Sequence, residues 1–99
     1  MNAQAQAPAE VDVSKYVETH FYGERPHVRG RRIPVADIAY YARSQNWTVA
    51  DLAYEFGLSE PKVLAALLYY AEHQDEIDKQ EADYQAELDE AYRQHGTNI

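Results

Sequence analysis

The sequence predicts a mainly α protein: a short N-terminal β-hairpin, then a helix-turn-helix bundle, then a C-terminal acidic amphipathic helix. Three observations predict it. β-Branched and aromatic residues cluster at 15–22 (KYVETHFY) and stop at turn chemistry in residues 23–26. From Pro34 onward apolar residues recur at helical spacing. The last third is strongly acidic yet carries a narrow apolar stripe.

Residues 1–14 begin MNAQAQAPAE, rich in Ala and Gln and without periodicity, and are expected to form a disordered arm. Residues 15–22 read as a strand with Val17, Thr19 and Phe21 on one face. Residues 27–35 read as a second extended piece, in which Gly30 supplies a turn or bulge and Pro34 biases Ile33 away from helical geometry. Two strands alone are marginal in water, so this hairpin must lean on helices or on a second copy of itself.

Val35, Ile38, Ala39 and Ala42 share one face of the next helix, with Pro34 in its first turn and an end near residues 44–46. Thr48 then offers an N-cap, with Asp51 three residues on as a capping box. The helix runs to Phe56, where Gly57 closes it in a left-handed turn. Ser59 caps the following helix, which carries Pro61 in its first turn and is expected to bury Val63, Leu64, Leu67, Leu68 and Ala71. It can run into residues 74–94, where Ile77, Tyr84, Leu88 and Tyr92 form the apolar stripe. Between residues 49 and 67, small Ala53, then Gly57, Leu58, the Ser59 cap and Val63 match helix-turn-helix spacing. That motif needs close helix approach and a positive φ in the turn.

Charge narrows the function. The 99 residues carry a net charge of −8, but residues 1–50 hold six Lys/Arg against five Asp/Glu, and residues 51–99 hold three against twelve. Different surfaces must therefore meet different partners or environments. The helix after Ser59 offers Lys62 as its one cation before an apolar run, so it reads as core and not as a reader of DNA bases. The DNA-contact candidates are instead Arg25, Arg29, Arg31 and Arg32, with Arg43, since a two-stranded ribbon fits the major groove and cations neutralise phosphates. The competing reading pairs these arginines with the acidic half of the same or a neighbouring molecule. Residues 72–90 hold nine acidic residues against Lys79, and the stripe Ile77, Tyr84, Leu88 and Tyr92 is the candidate partner-binding face.

Catalysis finds no support. His20, His27, His73 and His95 are scattered; His20 and His27 can face each other across the hairpin, but no metal-ligand spacing accompanies them. Ser14, Ser44 and Ser59 lack nucleophile context, and no phosphate-binding glycine loop exists. The expectation is a non-enzyme with no metal and no cofactor. The chain has no cysteine, no apolar run near the ~18 residues of a membrane span, and no secretory pattern in its opening. A cytoplasmic protein is expected.

Gly30-Arg31-Arg32-Ile33-Pro34-Val35, the Trp47-Thr48 helix entry, the Leu58-Ser59 turn and the tract AALLYYAEHQDEID occur together in order. In these residues the chain resembles the domain-of-unknown-function 433 family of small bacterial antitoxin-like proteins. The resemblance covers residues 15–78 and implies a homeodomain-like helical domain behind a short β element; residues 79–99 lie outside it and are expected to form the acidic, partner-binding helical extension. It also implies the antitoxin role in a type II toxin-antitoxin pair, opposite a PIN-like ribonuclease toxin. Gly30, Arg32, Ile33 and Pro34 match the family's N-terminal element, and Val63, Leu67, Tyr69 and Tyr70 its third helix. Arg31 departs from the threonine the family commonly carries there.

The expectation that follows is a regulator that neutralises such a toxin through the acidic helix and binds operator DNA as a homodimer. The alternative is an oligomeric assembly or interaction module that binds no DNA.

Overall fold

The computed structural model describes residues 12–19 and 25–96. It is mainly α. In chain order the elements are α1 (Val13–Tyr16), β1 (Val17–Glu18), β2 (His27–Val28), α2 (Val35–Ser44), α3 (Val49–Phe56), α4 (Glu60–Glu72) and α5 (Gln74–Gly96).

The hairpin starts later than the sequence predicts. Lys15 and Tyr16 belong to the helical turn α1, as do Val13 and Ser14 of the expected arm, and the strand pairing among the described residues joins Val17 with Val28 and Glu18 with His27, beside an isolated bridge between His27 and Pro34. The expected strand residues Phe21 and Tyr22, the facing of His20 on His27, and the arm at 1–11 lie outside the described residues. What stabilises so short a ladder is burial and a second tight turn. Val17 and Val28 are core residues. The Val28 carbonyl accepts from Arg31 N–H at 3.0 Å and the Val28 N–H donates to the Ile33 carbonyl at 2.9 Å, with Gly30 at φ 79°. A positive φ at the third turn position is the type II requirement that glycine meets without strain.

Pro34 stands at the N-cap of α2, one place before the first turn. The α2 helix ends as expected, and Asn46 at φ 58° turns the chain toward α3; Asn is among the few side chains that tolerate this region. Thr48 and Asp51 form a complete capping box, with bonds of 3.1 and 2.9 Å. At the other end of α3, Leu58 N–H donates to the Ala53 carbonyl and Gly57 N–H to the Tyr54 carbonyl, with Gly57 at φ 66°. This is the two-bond closure that a left-handed glycine permits. Ser59 then caps α4 through Lys62 N–H.

Helix α4 packs against every other element. Val63, Ala65, Ala66 and Tyr70 are its buried residues, whereas Leu64 is 46% exposed, Ala71 is exposed, and Leu67 and Leu68 are half-buried. The expected stripe of Leu64, Leu67, Leu68 and Ala71 is thus displaced around the helix. A helix enclosed on several sides buries its alanines where backbones approach closely, and counting bulky side chains does not anticipate that. Val17, Val28, Val35, Ile38, Ala39, Leu52, Leu58, Val63, Ala66, Tyr70 and Ile77 make one continuous core.

α4 does not run unbroken into the acidic segment. His73 leaves helical geometry at φ −126°, ψ 30°, and its N–H is shared between the Tyr69 and Tyr70 carbonyls. The new helix α5 projects past the core, with residues 82–95 exposed. No helix among the described residues is long and apolar enough to cross a membrane.

Candidate functional site

Two surfaces hold the predicted residues: the arginine-bearing hairpin and helix α5. On the hairpin most of the arginines already have work within the fold. Arg25 makes a two-point ion pair with Glu81 of α5, Nε to Oε2 at 2.8 Å and Nη2 to Oε1 at 3.0 Å. The ring of Tyr84 lies 4.2 Å from the same guanidinium. Burial opposes the charge of Arg25, but the bonds and charge of Glu81, helped by Asp37, outweigh it and raise its proton affinity. Arg29 donates to Glu18 at 2.7 Å and to the Ser14 carbonyl at 2.9 Å, so it ties β2 back to α1 and β1.

Arg31 donates to the Gly57 and Phe56 carbonyls at 2.8 and 3.1 Å. These are acceptors at the C-terminus of α3 that the glycine closure leaves over, and a cation there also meets the negative end of the helix dipole. The residue that departs from the family pattern is thus a helix cap linking the hairpin turn to the α3–α4 turn. Arg32 is exposed and lines a cleft with Arg25, His27, Pro34 and Tyr84. Arg43 stands apart on α2, 5.2 Å from the ring of Tyr70. The structure therefore brings Arg25 and Arg32 to one cleft and disperses Arg29, Arg31 and Arg43.

His27 is 3% exposed, with Nε2 3.3 Å from Glu18 and Nδ1 3.2 Å from the Arg25 carbonyl. Its place is structural, between the two hairpin strands. Among the described residues no three histidines or carboxylates gather as a metal-ligand set.

The α5 stripe divides in two. Ile77 is 2% exposed and belongs to the protein's own core, which corrects its assignment to a partner-binding face. One turn of α5 places Asp78 against Tyr70, whose hydroxyl donates to it at 2.8 Å, and Glu81 and Tyr84 follow on Arg25. Contacts of α5 with the hairpin and α4 therefore reach as far as Tyr84. A free-standing stripe remains: Leu88 is 45% and Tyr92 75% exposed, with Glu87, Asp89 and Glu90 exposed around them.

Glu81 was not singled out in the sequence as a site residue. It lies four places from Ile77, on the same helical face, and that spacing was the available signal once Ile77 is placed in the core. A further aromatic surface lies at the α2–α3 junction, where Tyr41 stacks on Trp47 at 5.1 Å with a 16° interplanar angle.

These features define a small, mainly α protein in which a hairpin braces packed helices and an acidic helix extends outward. The chain belongs to the family described as protein of unknown function (DUF433), whose model matches residues 19–70. The match ends within α4, so α5 lies beyond it. No curated protein and no solved structure matches the chain.

Proposed function

We propose that the protein is an antitoxin-like regulator, a cytoplasmic non-enzyme whose α5 seats its outer half in a groove of a PIN-like ribonuclease toxin. The observation that carries this reading is the pair Leu88 and Tyr92, exposed on a helix that has left the domain. An apolar stripe on a projecting helix matches the helix-in-groove mode of recognition. The surrounding carboxylates favour a basic groove, the kind of surface with which a ribonuclease holds RNA. Inhibition would be steric, by occupation of that groove. Self-pairing of this segment is disfavoured, because it would set Glu87, Asp89 and Glu90 of two copies side by side.

Operator DNA is the second ligand of this reading, bound by a homodimer. Phosphate contact then falls to the exposed Arg32 and Arg29, with Arg29 exchanging its bonds to Glu18 and the Ser14 carbonyl for phosphate. The rival reading is an assembly module in which arginines of one chain meet the acidic helix of another. Arg25 and Glu81 already make that chemistry within one chain.

The test is a truncation that removes residues 86–99, leaving the contacts of Ile77, Glu81 and Tyr84 in place. Calorimetric binding to a PIN-like ribonuclease that the intact chain inhibits should disappear, and the Leu88→Ala/Tyr92→Ala pair should weaken it by about 2 kcal/mol or more. Unchanged affinity in both variants would overturn the reading. If the truncation instead converts an oligomer to a monomer in sedimentation analysis, the assembly module takes its place.

A further inference from the structure

We propose that the cleft between the hairpin and α5 is a binding site for the phosphate backbone of nucleic acid, and that Glu81 masks it in the free protein. The proposal deepens the operator-binding half of the reading above and is independent of the toxin half.

The cleft has a volume of about 390 Å³ and is lined by Arg25, His27, Arg32, Pro34 and Tyr84. Four of these five come from the hairpin segment, and they set two guanidinium side chains beside one opening, with the buried His27 forming part of its wall. Into the planar edge of Arg25 the helix α5 inserts Glu81, with both carboxylate oxygens engaged at 2.8 and 3.0 Å. Two oxygens meeting Nε and Nη2 side by side is equally the arrangement in which arginine takes a phosphate. Glu81 does not itself line the cleft; it neutralises Arg25 from the side it shares with Asp37, so its release would leave the charge and donors of Arg25 to a phosphate in the cleft.

Its hold is replaceable. The Glu81 side chain is 32% exposed, against 19% for Arg25, so it can swing to water by a rotamer change. Helix α5 need not leave for this to happen, because Ile77 in the core and Asp78 on Tyr70 fix its first turns independently. Tyr84, already stacked on Arg25, stays behind as a ring against which a sugar or base can rest.

The measurement is filter binding of a short labelled DNA duplex over a series of NaCl concentrations. Glu81→Gln should bind about tenfold more tightly than the unmodified protein, with the log–log salt slope steeper by about 0.9, the increment for one further neutralised phosphate. Asp75→Asn removes the same formal charge from an exposed site on the same helix and should change affinity by less than about twofold. Adding Arg25→Gln or, separately, Arg32→Gln to Glu81→Gln should abolish most of the gain. Urea melts of each variant establish that it remains folded, and Arg32→Gln serves if Arg25→Gln unfolds the chain.

Equal gains from the Glu81 and Asp75 variants overturn masking in favour of net charge alone. A gain that survives both arginine changes overturns the assignment of the cleft. An unmodified protein that binds as tightly as Glu81→Gln leaves operator contact standing and removes the mask, whereas absence of binding in every variant removes both. If polyglutamate displaces the duplex from Glu81→Gln at equal charge concentration, the cleft takes carboxylates of a protein partner and the nucleic-acid assignment fails.

Discussion

One side chain joins the hairpin turn to the end of α3. Arg31 is that residue: its guanidinium closes two carbonyls at the end of α3. Arg31→Ala should lower stability by about 1 kcal/mol, from lost bonds to backbone and the lost cation at a helix C-terminus, as measured by urea denaturation. Tyr70 gives a second test at this scale. Its burial, then its bond to Asp78, raise the phenol's proton affinity above the ordinary value. The folded protein therefore holds this proton more tightly than the unfolded chain. The stabilisation is complete below the ordinary phenol range and is lost as pH rises through the raised value. Tyr70→Phe should lower stability by about 1 kcal/mol at neutral pH and flatten this alkaline decline in denaturation curves recorded across pH.

Within one helix the consequences of truncating an apolar side chain should differ sharply. Ile77→Ala opens a cavity in the shared core and should lower stability by about 2–4 kcal/mol, whereas Leu88→Ala on the exposed half of α5 should change it by less than about 0.5 kcal/mol. Urea denaturation of the two variants tests the division of α5 directly. The division was not legible in the sequence, because Ile77, Tyr84 and Leu88 follow one periodicity, which gives no sign of where the supporting domain stops. Capping was legible, since Thr48 with Asp51, Gly57, and Ser59 with Pro61 act through local bonds that spacing alone specifies. The strand assignment at residues 15–22 failed at its start for the converse reason. β-Branched and aromatic content is a weak preference, and α1 folds against α4 over Lys15 and Tyr16. Of the candidate site, the residue types and the exposed end of the stripe were legible. The pairing of Arg25 with Glu81 was not, since the two are 56 positions apart.

At the scale of the molecule, charge and shape separate together. The hairpin and its arginines lie in the packed part, and the net negative charge of the second half extends outward along α5. A basic partner approaching that projection should associate faster at low ionic strength, by about tenfold or more between 0.5 M and 0.05 M NaCl, with a smaller change in the dissociation rate, as stopped-flow kinetics can measure. The same separation gives the chain two unequal optical reporters. Its one tryptophan, Trp47, is stacked on Tyr41 between α2 and α3, far along the chain from the exposed end of α5. Tryptophan emission should follow melting of the packed helices alone, while far-ultraviolet circular dichroism also registers the projecting turns. If those turns fray first, the two signals will not coincide on heating, and a partner that seats α5 will bring them together.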